Sequence, residues 1–232
     1  MKTIALILAA GRENQMRSER AKELHQLLGK SMLDTTAETL RPLAERTIVV
    51  LGHHAQELSP ALPDWCQSCV QDFTLGLGTA KAVMQRPVRV LAAKPVMAAL
   101  PMIEADTRVL ITSGDKPCIS QESYQHLLDA VDGTTYCAAV LYADRRDPEG
   151  YDRVIFDGDG DVKRIAHSAE LLPPEEDIPS VNACVYCFSG KALRQALPDM
   201  RPNAQRIYHI SDLIGQLAEV GQRIAAVQAE QP

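Results

Sequence analysis

Three short apolar runs, each ending in a glycine-containing turn, constrain this chain more than any other feature. They are TIALILAA before Gly11 (3–10), RTIVVLG (46–52) and RVLITSGD (108–115). A brief, nearly continuous apolar run broken by glycine marks a strand buried on both faces, the habit of a parallel sheet. Parallel strands need crossovers, and helical patterns fill the gaps. Met32, Leu33, Leu40 and Leu43 space a helix over 32–44, a short one over 54–62 is stopped by Pro63, and SQESYQHLLDAV (120–131) has Ser120 as its cap. The order predicts an α/β chain with a Rossmann-like, mixed, mostly parallel sheet flanked by helices on both sides.

Later the texture changes. YCAAVLYAD (136–144) reads as a strand, and 151–167 as a hairpin of two alternating runs around Asp157-Gly-Asp-Gly-Asp161. PPEEDIP (173–179) reads as a loop, SVNACVYCF as a strand, 211–220 as a helix capped by Ser211, and QRIAAVQ as a last strand. CVQD (69–72) is a short strand, and LGLGTAKAVMQ opens a helix through a glycine-rich turn. The 232 residues thus read as one domain, with a first half to about 135 and a second, from about 136, carrying a small antiparallel lobe.

Charge and hydropathy exclude several classes. A net charge of −6 and a pI near 5.5 argue against a general nucleic-acid binder. The 11–30 segment runs against that trend, with five basic residues to three acidic. The opening MKTIALILAAGRE has only about eight apolar residues, at the short limit for a signal peptide, and fits a buried strand better. No apolar run approaches the ~20 residues of a membrane span, so the cytoplasm is the expected location.

Three tempting motifs read better as structure. Cys66-x-x-Cys69 and Cys184-x-x-Cys187 have zinc-ligand spacing, but ACVYCF reads as a strand, where residues three apart face opposite ways. Reduced structural thiols are expected. The DxDxD run has Ser168 where a calcium loop carries its twelfth-position glutamate, so a turn is expected. The His53-His54 pair reads as a solvated turn.

Chemistry gathers at the strand ends. In an open α/β sheet the ligand sits outside the carboxyl ends of the strands. LAAG (8–11) can turn backbone N–H groups toward an anion, Lys22 can place a point charge on a phosphate, and Asp115 is a hard carboxylate ligand for Mg²⁺. Phosphoryl and nucleotidyl transfer need positioning, a metal and cations.

In order, LAAG(x)₁₀K, LHxLxGKxML, QDFTLGLGTA, SGDKP, EGYDR, VNACVY and NAQRIYHISD resemble the sugar-nucleotide pyrophosphorylases. Within that family they are most similar to the uridylyltransferases acting on N-acetylglucosamine-1-phosphate. The resemblance runs from Ile4 to about Val227. It implies a nucleotide-diphospho-sugar transferase fold and a reaction in which a sugar-1-phosphate attacks the α-phosphorus of UTP. By the resemblance, Leu8, Ala9, Ala10 and Gly11 meet the nucleotide. Gln71 takes the uracil edge, with Gly76, Gly78 and Thr79 around the base. Lys22 neutralises phosphate charge and Asp115 holds Mg²⁺. Gly150, Asn182, Ser211 and His167, the last standing at the position of a glutamate, contact the sugar. A non-catalytic sugar-nucleotide binder and a cytidylyl- or molybdopterin-type transferase are the alternatives.

The departures from the family pattern are local. The usual LAAGxGTRM is LAAGRENQM here, with Glu13 for the second glycine and Gln15 for the arginine. Arg12 and Arg17 are the candidate replacements for that cation. Ser113 replaces the tyrosine of YGD, and Arg206-Ile207 precede Tyr208 where the family has Gly-Glu. Gln15 cannot supply a bidentate, always-charged fork. Restoring it should therefore help: Glu13→Gly with Gln15→Arg is expected to raise turnover about 10²-fold, the scale of one transition-state donor. Steady-state pyrophosphate release checks this, and an unchanged rate in the double variant of an active protein would refute this reading of the loop.

Overall fold

A computed structural model describes residues 1–11, 16–71, 93–203 and 207–230. In chain order the strands and helices begin β1 (Lys2–Ala9), β2 (Gln26–Leu27), β3 (Lys30–Ser31), α1 (Met32–Leu40), β4 (Arg46–Leu51), α2 (Ala55–Leu58), β5 (Gln67–Val70) and α3 (Ala93–Ala99). They continue with β6 (Thr107–Ser113), α4 (Gln121–Val131), β7 (Tyr136–Asp144), β8 (Arg153–Phe156), β9 (Val162–Ala166), α5 (Pro173–Glu176), β10 (Ser180–Ser189), α6 (Gly190–Ala196), α7 (Ile210–Glu219) and β11 (Arg223–Gln228). The helix expected to open at 75–85 lies outside the described residues.

The main sheet has the order β11-β7-β10-β6-β1-β4-β5, with β8 hydrogen-bonded to β10 and β9 to β8. Strands β6, β1 and β4 run parallel, as the buried apolar runs predict, and the short, mostly exposed β5 adds parallel to β4 at the edge. Antiparallel β10 is inserted between β6 and β7, and β11 returns parallel to β7, so both halves share one sheet.

Alternation along the strands divides the core in two. Ile4, Leu6, Ile48, Val50, Val109 and Ile111 face α3, α6 and α7, meeting Val96, Leu193 and Leu213. Ala5, Ile7, Val49, Leu51 and Leu110 face α1 and α4, meeting Leu33, Leu40, Tyr124 and Leu127. The helix caps follow their chemistry: Ser31 accepts from the Asp34 N–H at 3.0 Å, and Ser120 from Ser123 at 3.1 Å.

Two local expectations are corrected. Residues 173–179 are not all loop: Pro173, with its fixed φ, starts a one-turn helix, and Glu175 reaches back to the Leu172 N–H at 3.1 Å. The last long helix is not capped by Ser211. Asp212 reaches back to accept the His209 N–H at 3.2 Å, the helix starts at Ile210, and Ser211 is buried in its first turn.

Turn chemistry accounts for the DxDxD run. The Asp157 carboxylate accepts the N–H groups of Asp159 (2.9 Å) and Asp161 (3.0 Å), and Gly160 takes a left-handed φ of +84°. The two CxxC pairs sit at strands β5, where Cys66 directly precedes the strand, and β10, four strand spacings apart in the sheet, or roughly 19 Å, beyond any shared metal. His53 and His54 pack edge to face at 4.8 Å, and His54 lies 3.4 Å from Glu57.

One glycine is required by proximity. A Cβ on Gly52 would stand 2.5 Å from the Ala10 carbonyl oxygen, because the ends of β4 and β1 touch. Gly52→Ala must move that backbone. It is expected to cost about 2 kcal/mol, which lowers Tm by roughly 4–8 °C at this size; a thermal melt by circular dichroism checks it.

Candidate active site

The parallel register gathers the strand ends. Leu8 on β1 pairs with Val50 on β4 and Ser113 on β6, so the three chains leave the sheet side by side. Beyond these ends lie Ala10-Gly11, Gly52-His53 and Gly114-Asp115. The Gly114 N–H donates to the Leu8 carbonyl at 2.9 Å, carrying β-like pairing one step past the strand and aiming Asp115 outward. The Gln71 N–H likewise donates to Leu51 at 2.8 Å, placing buried Gln71 at the far end of the same edge.

Lys22 returns to this edge on a short 3₁₀ turn, Lys22–Leu24. The turn is held by the Glu57 carboxylate, which accepts the Ala21 N–H at 3.1 and 3.3 Å. Lys22 Nζ lies 2.8 Å from Asp115 Oδ2, and about a fifth to a quarter of each side chain is exposed. Burial alone would push the Asp115 carboxyl up, but the Lys22 ion pair and the Ser113 hydroxyl hold it below the ordinary carboxylate range. Beside it, Glu23 is buried against Gly114, and that burial pushes its carboxyl up despite its own backbone hydrogen bond and Lys22.

Asp115 fits a divalent cation. Its Oδ1 is buried and has no hydrogen-bond partner among the described residues, while Oδ2 is taken by Lys22. One carboxylate joined by substrate phosphates is a common way to hold Mg²⁺.

The antiparallel lobe carries a second constellation. His167, just after β9, has Nδ1 at 3.1 Å from Asp152 Oδ2 and Nε2 at 2.7 Å from Asp212 Oδ1. Hydrogen bonds to Asp152 and Asp212 raise its pKa to about 10, against the opposing effect of burial. Burial would raise the Asp152 carboxyl, but the His167 and Ser168 hydrogen bonds leave it lowered. The His209 ring stands 4.7 Å from that of His167.

Asn182 is buried on β10 beside this cluster. Its N–H donates to the Asp152 carbonyl at 2.9 Å, its side-chain oxygen accepts the Cys184 N–H at 3.0 Å, and its Nδ2 donates to Tyr186 at 2.9 Å. These bonds stitch a β-bulge at which Cys184 adopts φ +58°. Tyr186 pairs with Ile111 on β6, so the Cys184 bulge of β10 lies toward the Ser113 end of that strand and both constellations border one region.

The structure therefore brings Leu8, Ala9, Ala10, Gly11, Gln71, Lys22 and Asp115 to one edge, and His167, Asn182 and Ser211 to the adjoining lobe. Gly150 lies on an exposed turn with φ +78°, two residues before Asp152, and Arg17 is exposed with φ +49°. Arg12, Glu13, Gln15, Gly76, Gly78, Thr79 and Arg206 lie outside the described residues. Sequence reasoning passed over Asp152, Asp212, His209 and Glu23. Asp152 and Asp212 stand within EGYDR and NAQRIYHISD, but their contacts with His167 span 15 and 45 residues.

A mostly parallel α/β sheet that carries a lysine–carboxylate pair at the carboxyl ends of its strands defines the class. The chain belongs to the MobA-like NTP transferase domain family, whose model matches residues 5–220. Among curated relatives it is 32% identical over 232 residues to the bifunctional protein GlmU of Alkaliphilus metalliredigens, covering 99% of this chain and 48% of that protein. It is 36% identical over 215 residues to the GlmU of a Thermotoga species, covering 90% and 43%. The chain thus spans about half the length of these relatives. A crystal structure from Bacillus anthracis, described as a glucose-1-phosphate thymidylyltransferase with bound sucrose, shares the fold. Its TM-score is 0.73 at 15% identity, over 98% of this chain and 87% of that one.

The His167 cluster sets a pH dependence. A pKa raised in the folded state contributes stability that is complete below the unfolded value near 6.5 and is lost as pH rises through about 10. The lowered Asp152 pKa contributes at higher pH and is lost on acidification. Unfolding free energy from urea melts should thus decline between pH 7 and 10, and His167→Gln should flatten that slope. A parallel slope in the variant would contradict the charged state of His167.

Proposed function

We propose that this chain is a Mg²⁺-dependent nucleotidyltransferase that makes a UDP-sugar and pyrophosphate from UTP and a sugar-1-phosphate in the cytoplasm. N-acetylglucosamine-1-phosphate is the first-choice acceptor. The observation that carries the reading is the convergence of Gly11, Gly52, Lys22 and Asp115 at one sheet edge, next to a polar lobe built on Asn182 and His167. The GlmU relatives support the choice of sugar nucleotide.

The chemistry asks little covalent work of the protein. A phosphate oxygen of the sugar-1-phosphate attacks the α-phosphorus in line; the bond from that phosphorus to the α–β bridging oxygen breaks, and pyrophosphate leaves with the electron pair. Backbone around Ala10 and Gly11 positions the nucleotide, and Gln71 meets the base. Lys22 exchanges its Asp115 partner for phosphate oxygens, offsetting charge where it builds. Asp115, ionised and released from Lys22, would hold Mg²⁺. When bound, that ion neutralises phosphate charge and fixes the phosphate geometry.

A second reading keeps the site and changes the substrates. The MobA-like description of the matched family favours testing other nucleotides, and cytidylyl- or molybdopterin-type transfer fits the same sheet edge. A non-catalytic sugar-nucleotide binder is favoured by the opening loop, where Glu13 and Gln15 stand in place of the family's second glycine and arginine.

One panel separates the three readings. Pyrophosphate release is followed with Mg²⁺, each of four nucleoside triphosphates, and a set of sugar-1-phosphates and other phosphorylated acceptors. UTP with N-acetylglucosamine-1-phosphate should be turned over fastest, and Lys22→Met should lower kcat/KM about 10²–10³-fold, the scale of one lost transition-state contact. Turnover confined to another triphosphate would establish the second reading. No pyrophosphate from any pair, with UDP-sugar binding intact, would establish the binder.

A further inference from the structure

His167, Asp152 and Asp212 are joined more tightly than a substrate-reading histidine requires. Each ring nitrogen of His167 faces a carboxylate oxygen, at 3.1 Å on the Asp152 side and 2.7 Å on the Asp212 side. A carboxylate accepts and does not donate when ionised, so both nitrogens carry hydrogen and the ring is a cation. Neither N–H is left for a ligand, and only 13% of the side chain is exposed.

The three residues tie separate elements. Asp152 precedes β8, His167 follows β9, and Asp212 lies in the first turn of α7. Asp212 Oδ2 also accepts the His209 N–H that starts this helix, and the Asp152 carbonyl accepts the Asn182 N–H of β10. One imidazolium therefore sets the hairpin, the helix start and the bulged strand relative to one another.

Asp152 is the member left able to meet a ligand. Its Oδ1 accepts the Ser168 N–H at 2.9 Å and its Oδ2 meets His167, yet a carboxylate has about four acceptor positions. Its side chain is 26% exposed, against 11% for Asp212. Its carbonyl accepts the Asn182 N–H at 2.9 Å, on the strand whose Tyr186 pairs with Ile111 of β6, so it stands on the side of the lobe next to the Asp115 strand end. We propose that Asp152 is the sugar-reading carboxylate of this protein, accepting hydroxyl hydrogens of the sugar, and that His167 and Asp212 are positioning residues that hold it there. This rests on the sugar-nucleotide reading of the site and names the group that reads the sugar.

Two measurements on the full chain test it. In calorimetric titrations with UDP and with UDP-N-acetylglucosamine, Asp152→Asn should weaken the UDP-sugar about tenfold, the scale of a lost charged hydrogen bond, and leave UDP within twofold. Equal UDP-sugar affinity in variant and wild type overturns the assignment while leaving the proposed function standing. A wild type that binds UDP no less tightly than any UDP-sugar overturns the sugar reading itself. The second measurement needs no variant to stay active. In ¹⁵N-histidine-labelled wild type at pH 8, the His167 ring, identified by its loss in His167→Gln, should show both nitrogens protonated. A neutral ring there overturns the clamp.

Discussion

Everything functional in this chain depends on the register of one buried strand. Leu8 faces Val50 on one side and Ser113 on the other, and the backbone passes its partners so closely that Gly52 has no room for a Cβ beside Ala10. A slip of one residue would turn the alternating apolar set of β1 inside out between the two cores. It would also carry Gly11 and Asp115 out of line. The hydrophobic pattern that folds the sheet therefore also aligns the groups at its edge.

Charge is then arranged around that edge in two opposite ways. Asp115 is balanced by Lys22, which reaches it from a turn hung on Glu57, with the Ser113 hydroxyl and Lys116 adding to the effect. Asp152 is balanced by an imidazolium locked between two carboxylates. In the proposed reaction the first pair opens as phosphate competes for the lysine. The second resists opening, because separating it would strand partly buried charge. The contrast fits the proposed transfer, in which one cation would neutralise a changing phosphate group and a clamped carboxylate would read an unchanging sugar.

Much of the fold was legible because burial on both faces leaves uninterrupted apolar runs. TIALILAA, RTIVVLG and RVLITSGD became adjacent parallel strands, and Ser120 capped its helix. Helices α3 and α6 escaped notice because Pro95 lies inside one and Gly190 opens the other; Gly190 is there because a Cβ would strike the Glu104 carbonyl. At the candidate site, Asp115 was picked out by its strand end and Lys22 by its spacing after LAAG, and the structure places the two 2.8 Å apart. Asp152 could not, since its meaning depends on His167 across the hairpin and Asp212 beyond β10. Such pairings leave no local pattern in the chain.

The most direct measurement is a crystal structure with UTP and Mg²⁺. The account predicts the triphosphate over Ala10 and Gly11, Lys22 Nζ turned from Asp115 onto phosphate oxygens, and Asp115 on the metal. A triphosphate bound elsewhere, or bound at this edge with the Lys22–Asp115 pair still closed, would contradict it.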